Sequence, residues 1–414
     1  MRRVSSDARI ARVRETLALR DAVLGVFAAP AGVPLDDGDV ARLRAAPVES
    51  WRLLLKAECC ALPLAARLRA SGVITSLPAP SQGAITEAQL AETQRVMAAR
   101  SQLRELDVVA SALRIEVVVL KGGAIAADAS KQPIDLGDVD LLLTPDAAAR
   151  MWRRLLEDGW RMKSADGIAA TDEVALEFNH FNPLLPPRDG IPVELHQRVQ
   201  YGRATAHAIA TRPLAGYQAL HRAIGESSVV LALEHSVIHH PHRRGHLRDL
   251  VLIADAIAEC TPEIRERLDP SRGDPRYAIE LRDMLDQVLA IGRGERPTDS
   301  PSIRLAVARK YLVVLGDDRR LSARVPGWWD LSHVALERGS LRRTRYAQMA
   351  RAGLGPIPPG STFRAGALAA RAPRLANAAM RVIRAGYWVA VTALSIALGP
   401  RLRRRVNAAI EPIR

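Results

Sequence analysis

Cysteine is scarce: Cys59, Cys60 and Cys260 are the only three in 414 residues. Three cannot form a paired framework in so long a chain, and the neighbours Cys59 and Cys60 make a poor disulfide. A disulfide-stapled secreted scaffold is excluded, and a reducing, cytoplasmic compartment is expected. Met1–Arg20 contains no continuous apolar run, because charges recur at Arg9, Arg12, Arg14, Glu15 and Arg20; no secretory signal is expected. Aromatic residues make up only 4%, so the interleaved rings of a base-stacking nucleic-acid surface are missing. No internal repeat is found.

Apolar residues are plentiful, at 48%, so a sizeable core can be buried. The length suggests two or three domains of about 100–200 residues each. Charge is unevenly placed. Residues 321–414 hold 16 Arg, no Lys and three acids (Asp330, Glu337, Glu411), a net of +13 out of +14 for the whole chain. The body is close to neutral, and the basic tail points to an acidic contact.

Helical periodicity runs from Ile10 to about Arg104, with Trp51, Leu54, Leu55, Ala61, Leu62 and Ala65 in phase. Breaks are expected at Pro30–Pro34, near Pro47, and across Leu77–Gly83. Residues 84–113 read as one long helix. The period then changes. Ile115–Leu120 is an apolar, β-branched run that reads as a buried strand. Lys121-Gly122-Gly123 reads as a turn, Ala124–Ala129 as a short helix, and Val139–Leu143 as a second strand. Thr144-Pro145-Asp146 is a helix start, with Thr144 as N-cap and proline in the first turn; Gly159 should stop that helix. Ala175–Phe181 and Pro192–His196 are further strands. Helices return from Pro213 to about Val314, clearest at Leu231–His239 and Leu247–Glu259.

One constellation carries chemistry. Asp138-Val139-Asp140 opens a strand, where residues two apart share a face. Two carboxylates that close repel unless a cation lies between them, and Mg²⁺ is the hard, oxygen-seeking ion for such a pair. A metal-bound pair suits phosphoryl or nucleotidyl transfer. The Lys121-Gly122-Gly123 turn follows a strand and precedes a short helix, so its backbone can approach a phosphate while Lys121 adds positive charge. Glu194, on a later strand, offers a third carboxylate. His196 faces the same side.

Leu120-Lys121-Gly122-Gly123, then Gly137-Asp138-Val139-Asp140-Leu141-Leu142-Leu143, then Val193-Glu194-Leu195-His196 resemble the uncharacterised bacterial nucleotidyltransferase-like family, grouped with the DNA polymerase β superfamily. The likeness extends to Trp51–Leu68 and to His235–Asp249, and covers roughly residues 45–260. It implies a mixed sheet with the carboxylates on adjacent strands, Mg²⁺ or Mn²⁺, and an NTP as donor. Asp138, Asp140 and Glu194 would be metal ligands, with Glu194 also the base. Lys121, Gly122 and Gly123 would hold the triphosphate. Where such relatives often carry an arginine shortly before the D-x-D, this chain has Lys131-Gln132-Pro133-Ile134-Asp135-Leu136.

Five histidines cluster at His235, His239, His240, His242 and His246. His235 and His239 have the i, i+4 spacing that binds zinc, without the H-E-x-x-H order; packing against the α/β unit as a pocket wall is the stronger expectation. Trp328 and Trp329 are expected to cap a core where the tail departs. In the tail, Arg374, Arg381 and Arg384 oppose Leu375, Ala379, Val382 and Ile383 on a helical wheel. Residues 385–400 carry no charge, but those 16 residues fall short of the ~20 that span a bilayer. An anionic membrane surface or a protein partner is expected to meet residues 373–405, as a peripheral contact at the inner face of the membrane.

The expected fold is α+β: a helical region (1–105), a nucleotidyltransferase-like mixed-sheet core (106–205), a second helical region (206–320) and an Arg-rich tail with an amphipathic helix (321–414). The expected function is Mg²⁺-dependent transfer of a nucleoside monophosphate from an NTP to an unknown acceptor (small molecule, peptide or protein), in natural-product or polysaccharide biosynthesis. The alternative is a non-catalytic partner or scaffold of the same fold.

Overall fold

A computed structural model describes residues 6–30, 32–128, 132–162, 181, 183–197, 229–240, 243–258, 277–315, 404 and 406–410. The Ala175–Phe181 strand (apart from Phe181), Cys260, His242, Trp328, Trp329 and the amphipathic segment 373–398 lie outside these. Among the described residues, no helix is long and apolar enough to cross a membrane.

The elements are, in chain order, α1 (Ser6–Ala28), α2 (Asp37–Ala45), α3 (Val48–Glu58), α4 (Ala61–Ala70), α5 (Ala79–Leu113), β1 (Val118–Val119), α6 (Lys121–Ala127), β2 (Val139–Leu142), α7 (Pro145–Glu157), β3 (Arg161–Met162), β4 (Leu184–Leu185), β5 (Val193–His196), α8 (Leu247–Ala258), α9 (Ala278–Gly292) and α10 (Pro301–Val314). A further helical stretch covers 229–239 and widens to a π-turn over His235–His239.

The helical phasing of Trp51, Leu54, Leu55, Ala61, Leu62 and Ala65 is confirmed, since all six are buried. One apolar cluster joins α1, α3 and α4 to 229–238, α8 and α9. Helices that precede the sheet and helices that follow it therefore share one core. A second cluster binds the far half of α5 to the sheet and α7. Helix α5 has 35 residues, about 50 Å at 1.5 Å per residue. Its start (Ala84, Ile85) lies in the first cluster and its end (Ala99, Leu106, Ala110) in the second. It is the strut that ties the sheet to the helical body.

Helix α5 begins earlier than expected. Pro80 and Gly83 fall inside it rather than in the preceding break, because proline in the first turn gives up only an N–H that has no helical partner. Its far end is Arg114, which takes the left-handed cap conformation usual for glycine, at φ +52°.

The sheet order is β1-β2-β5-β4-β3. Strands β2 and β5 are parallel, and the other pairs are antiparallel, so the sheet is mixed. Helix α7 keeps the expected ends: the Thr144 hydroxyl accepts from the Ala147 N–H at 3.4 Å, and Gly159 follows at φ +88°. Strand β1 is shorter than the apolar run that announced it, with only Val118–Val119 paired to Leu141–Leu142.

Candidate active site

Strand β2 is buried along its whole length. Val139 and Leu141 enter the core, which leaves Asp140 on the opposite face of the pleat. Asp138 stands just before the strand and is half-buried. Parallel pairing sets Asp140 level with Glu194 and Leu142 level with His196. Of the three carboxylates expected from sequence, Asp140 and Glu194 thus meet on adjacent strands, while Asp138 stands ahead of β2.

The Leu120 N–H donates to the Asp140 carbonyl at 2.9 Å, and the chain turns there into α6. The expected turn at Lys121-Gly122-Gly123 is the first turn of that helix, three residues ahead of the predicted start. Leu120, in extended conformation, caps it without a side-chain bond. Lys121 adopts φ +50°, a conformation that costs a residue with a Cβ about 1–2 kcal/mol. Its ammonium is held 2.9 Å from Asp140 Oδ1 and donates to His235 Nε2 at 3.3 Å. The strained backbone is offset by those contacts.

His196 Nε2–H donates to Asp140 Oδ1 at 2.7 Å and lies 3.5 Å from Glu194 Oε2. Burial alone would raise the Asp140 carboxyl, but Lys121 and His196 hold it below the usual carboxylate range. Burial alone would lower His196, but Asp140 and Glu194 raise it. Asp138 is raised by burial and by the charges of Asp140 and Glu194, with Lys121 and Arg243 opposing.

A like-charge cluster of this kind is relieved by a cation. One ligand atom each from Asp140, Glu194 and His196 lies within 4.8 Å of the others, so the group is compact enough to hold a metal ion. The charge crowding on Asp138 fits the same requirement.

The two glycines face different surroundings. Gly122 lines the cleft beside Asp138 and Asp140, and a Cβ there would stand 2.2 Å from Leu136 Cδ2. Gly123 turns to the sheet, where a Cβ would stand 2.9 Å from Val119 Cγ1. Close packing, more than backbone freedom, therefore requires glycine at both positions.

The opposite wall of the cleft comes from Ala232, His235 and Ser236 and from Arg243, Arg248, Asp249 and Leu252. The expectation that His235 shapes a pocket wall is met: it is buried and faces Lys121. The π-turn, in which the His240 N–H donates to the His235 carbonyl at 2.8 Å, displaces the helix at this point; such turns recur at functional sites. Ser236 donates to Asp249 Oδ2 at 3.0 Å. Arg248 grips Asp249 Oδ1 at 3.0 Å and the Asp135 carbonyl at 3.1 Å. Arg243 also lines the cleft. Neither arginine was singled out from sequence. Their only sequence signal was the family resemblance over His235–Asp249.

Compared with known proteins, residues 54–256, just under half of the chain, match the model of a family described as uncharacterised nucleotidyltransferase. That span contains the sheet, both walls of the cleft and the helices that join them. No curated protein and no solved structure matches the chain.

Proposed function

We propose that this chain moves a nucleoside monophosphate from an NTP to an acceptor oxygen, with a divalent cation bound at the β2–β5 carboxylates. The observation that carries the reading is the parallel register that sets Asp140 beside Glu194, with Asp138 just ahead in the same charged cluster. The family match over residues 54–256 supports it.

Asp138, Asp140 and Glu194 would hold the cation. An all-oxygen set of this kind suits Mg²⁺ or Mn²⁺, whereas His196 as a ligand would draw the site toward zinc-like ions. Keeping the His196 Nε2–H on Asp140 Oδ1 leaves the oxygen set intact. The cation, when bound, supplies charge neutralisation at the triphosphate and acidifies the attacking oxygen. Glu194 then receives the acceptor's proton. The acceptor oxygen bonds to the α-phosphorus, the bond from that phosphorus to the bridging oxygen breaks, and pyrophosphate departs. Gly122 and Lys121, at the start of α6, sit where the triphosphate would lie. Lys121 fixes Asp140 and so keeps the carboxylate ionised and aimed.

Calorimetric titration of ATP, GTP, CTP and UTP, with Mg²⁺ and with EDTA, tests this. Binding that requires the cation and disappears in Asp138→Asn, without a change in melting temperature, is the expected result. A folded wild-type protein that binds none of the four would overturn the reading.

A further inference from the structure

Three cations line the cleft: Lys121, Arg243 and Arg248. Two are committed. Lys121 is pinned to Asp140 Oδ1, and Arg248 bridges Asp249 and the Asp135 carbonyl. The Arg243 guanidinium makes neither a hydrogen bond nor an ion pair among the described residues, although its side chain is half-buried against the cleft. Its charge is felt at Asp138 and at Asp249, so it looks into the same space as the carboxylates.

The backbone under Arg243 is fixed. The His246 N–H donates to the Arg243 carbonyl at 2.9 Å, and the Arg243 N–H donates to the His240 carbonyl at 2.7 Å. Two residues on, the Gly245 carbonyl accepts from buried Arg20 at 2.6 Å. Gly245 stands at φ +65°, with Ile303 Cγ2 2.4 Å from where a Cβ would be. Leu247 N–H donates to buried Glu58 at 2.9 Å. The chain just after Arg243 is thus anchored to the helical core at Gly245 and Leu247. What it presents to the cleft is a planar, permanently charged fork that pairs with phosphate oxygens two at a time.

A backbone anchored at Gly245 and Leu247, a guanidinium without a partner among the described residues and the neighbouring cations Lys121 and Arg248 form the donor half of a phosphate site. We infer that Arg243 receives the terminal phosphates of the nucleotide, across the cleft from the carboxylates that face the α-phosphate. This rests on the nucleotidyl-transfer reading. Arg243 steadies the pyrophosphate as the bond from the α-phosphorus to the bridging oxygen breaks, and it takes no proton. Among nucleotides it favours a triphosphate over a monophosphate, since a monophosphate has nothing to place there.

The test is titration of an NTP and of the matching monophosphate, each with Mg²⁺, into the full chain as wild type, Arg243→Gln and Arg243→Lys. Arg243→Gln is expected to weaken NTP binding at least about tenfold, the scale of one charge-assisted phosphate contact. It should leave the monophosphate affinity and the melting temperature unchanged, and Arg243→Lys should restore part of the loss. That combination separates a phosphate contact from a merely structural role, which would move both ligands or the melting temperature. If Arg243→Gln binds the NTP as wild type does, or weakens both nucleotides equally, this assignment fails and the nucleotidyl-transfer reading stands. A folded wild type that binds no NTP overturns that reading, and this inference with it.

Discussion

Asp140 accepts two charge-assisted bonds on one oxygen, from Lys121 at 2.9 Å and from His196 at 2.7 Å. It is almost fully buried, and a buried carboxylate that loses its partner costs about 3–5 kcal/mol. Lys121→Met should therefore destabilise the fold by roughly that amount in urea unfolding. The double variant Lys121→Met with Asp140→Asn should cost clearly less than the two single changes together, because it removes the charge along with its partner. Strict additivity of the single effects would show that the pair is not coupled. The placement of Asp140 beside a later acidic strand was legible in the sequence from strand period and residue type, whereas Lys121, expected in a turn, is instead helical and bonded to Asp140. His196 was legible as sharing the Glu194 side of its strand, but not as a partner of Asp140. That contact follows from the two-residue offset between Asp140 and His196 across the parallel register, which no local pattern encodes.

At the level of elements, period and punctuation foretold α7 with both its caps and placed β2 and β5 to within a residue. The start of α6 differs from the expectation, because Gly122 and Gly123 read as a turn in sequence but belong to the helix. Both instead make room for Leu136 and Val119. Leu136 belongs to the stretch before Asp138, which is clamped by the Arg95–Asp135 ion pair at 2.6 Å and by Arg248 on the Asp135 carbonyl. The clamp leaves Leu136 little freedom to retreat from an added methyl. Ala is normally the better helix former than Gly by about 0.8–1 kcal/mol, but overpacking costs about 1–3 kcal/mol. Gly122→Ala should therefore lower the melting temperature and, by shifting the stretch that leads to Asp138, weaken Mg²⁺-dependent nucleotide binding. Gly83→Ala, where nothing lies within 4 Å, is the control and should raise the melting temperature. Matching increases in both variants would show that Gly122 is kept for another reason.

Across the whole molecule, the second wall of the cleft begins at Ala232, about ninety residues beyond the D-x-D pair in sequence, and is delivered by a core built from both helical regions. Helical periodicity could announce those helices, but it could not say that α1 and α3 would fasten the turn carrying Arg243. The fastening is ionic. Glu58, fully buried at the end of α3, contacts Arg20 of α1 at 3.6 Å, Lys310 of α10 at 2.8 Å, the Tyr311 hydroxyl at 2.8 Å and the Leu247 N–H at 2.9 Å. Burial would raise its carboxyl, but Lys310 and Arg20 hold it down at about 2, against an ordinary 4.5. A folded-state value below the unfolded one stabilises the protein fully above pH 4.5, and that stabilisation is lost as the pH falls toward 2. The scale is about 3 kcal/mol at 1.36 kcal/mol per unit. Glu92 has the opposite sign. Burial lifts it to about 7 even though the Ala61 and Leu62 N–H groups at the start of α4 donate to it at 2.9 and 2.8 Å. The folded state keeps that proton longer than the unfolded chain does, so stability declines as the pH rises from 4.5 through 7. Urea unfolding across pH 3–8 should therefore show a weakening on each side of pH 4.5. Glu58→Gln should lower stability throughout and flatten the acidic limb, while Glu92→Gln should flatten the limb between 4.5 and 7. An acidic limb that keeps its slope in Glu58→Gln would mean that the network at α3 is not what holds the helical body, and with it the second cleft wall, together in acid.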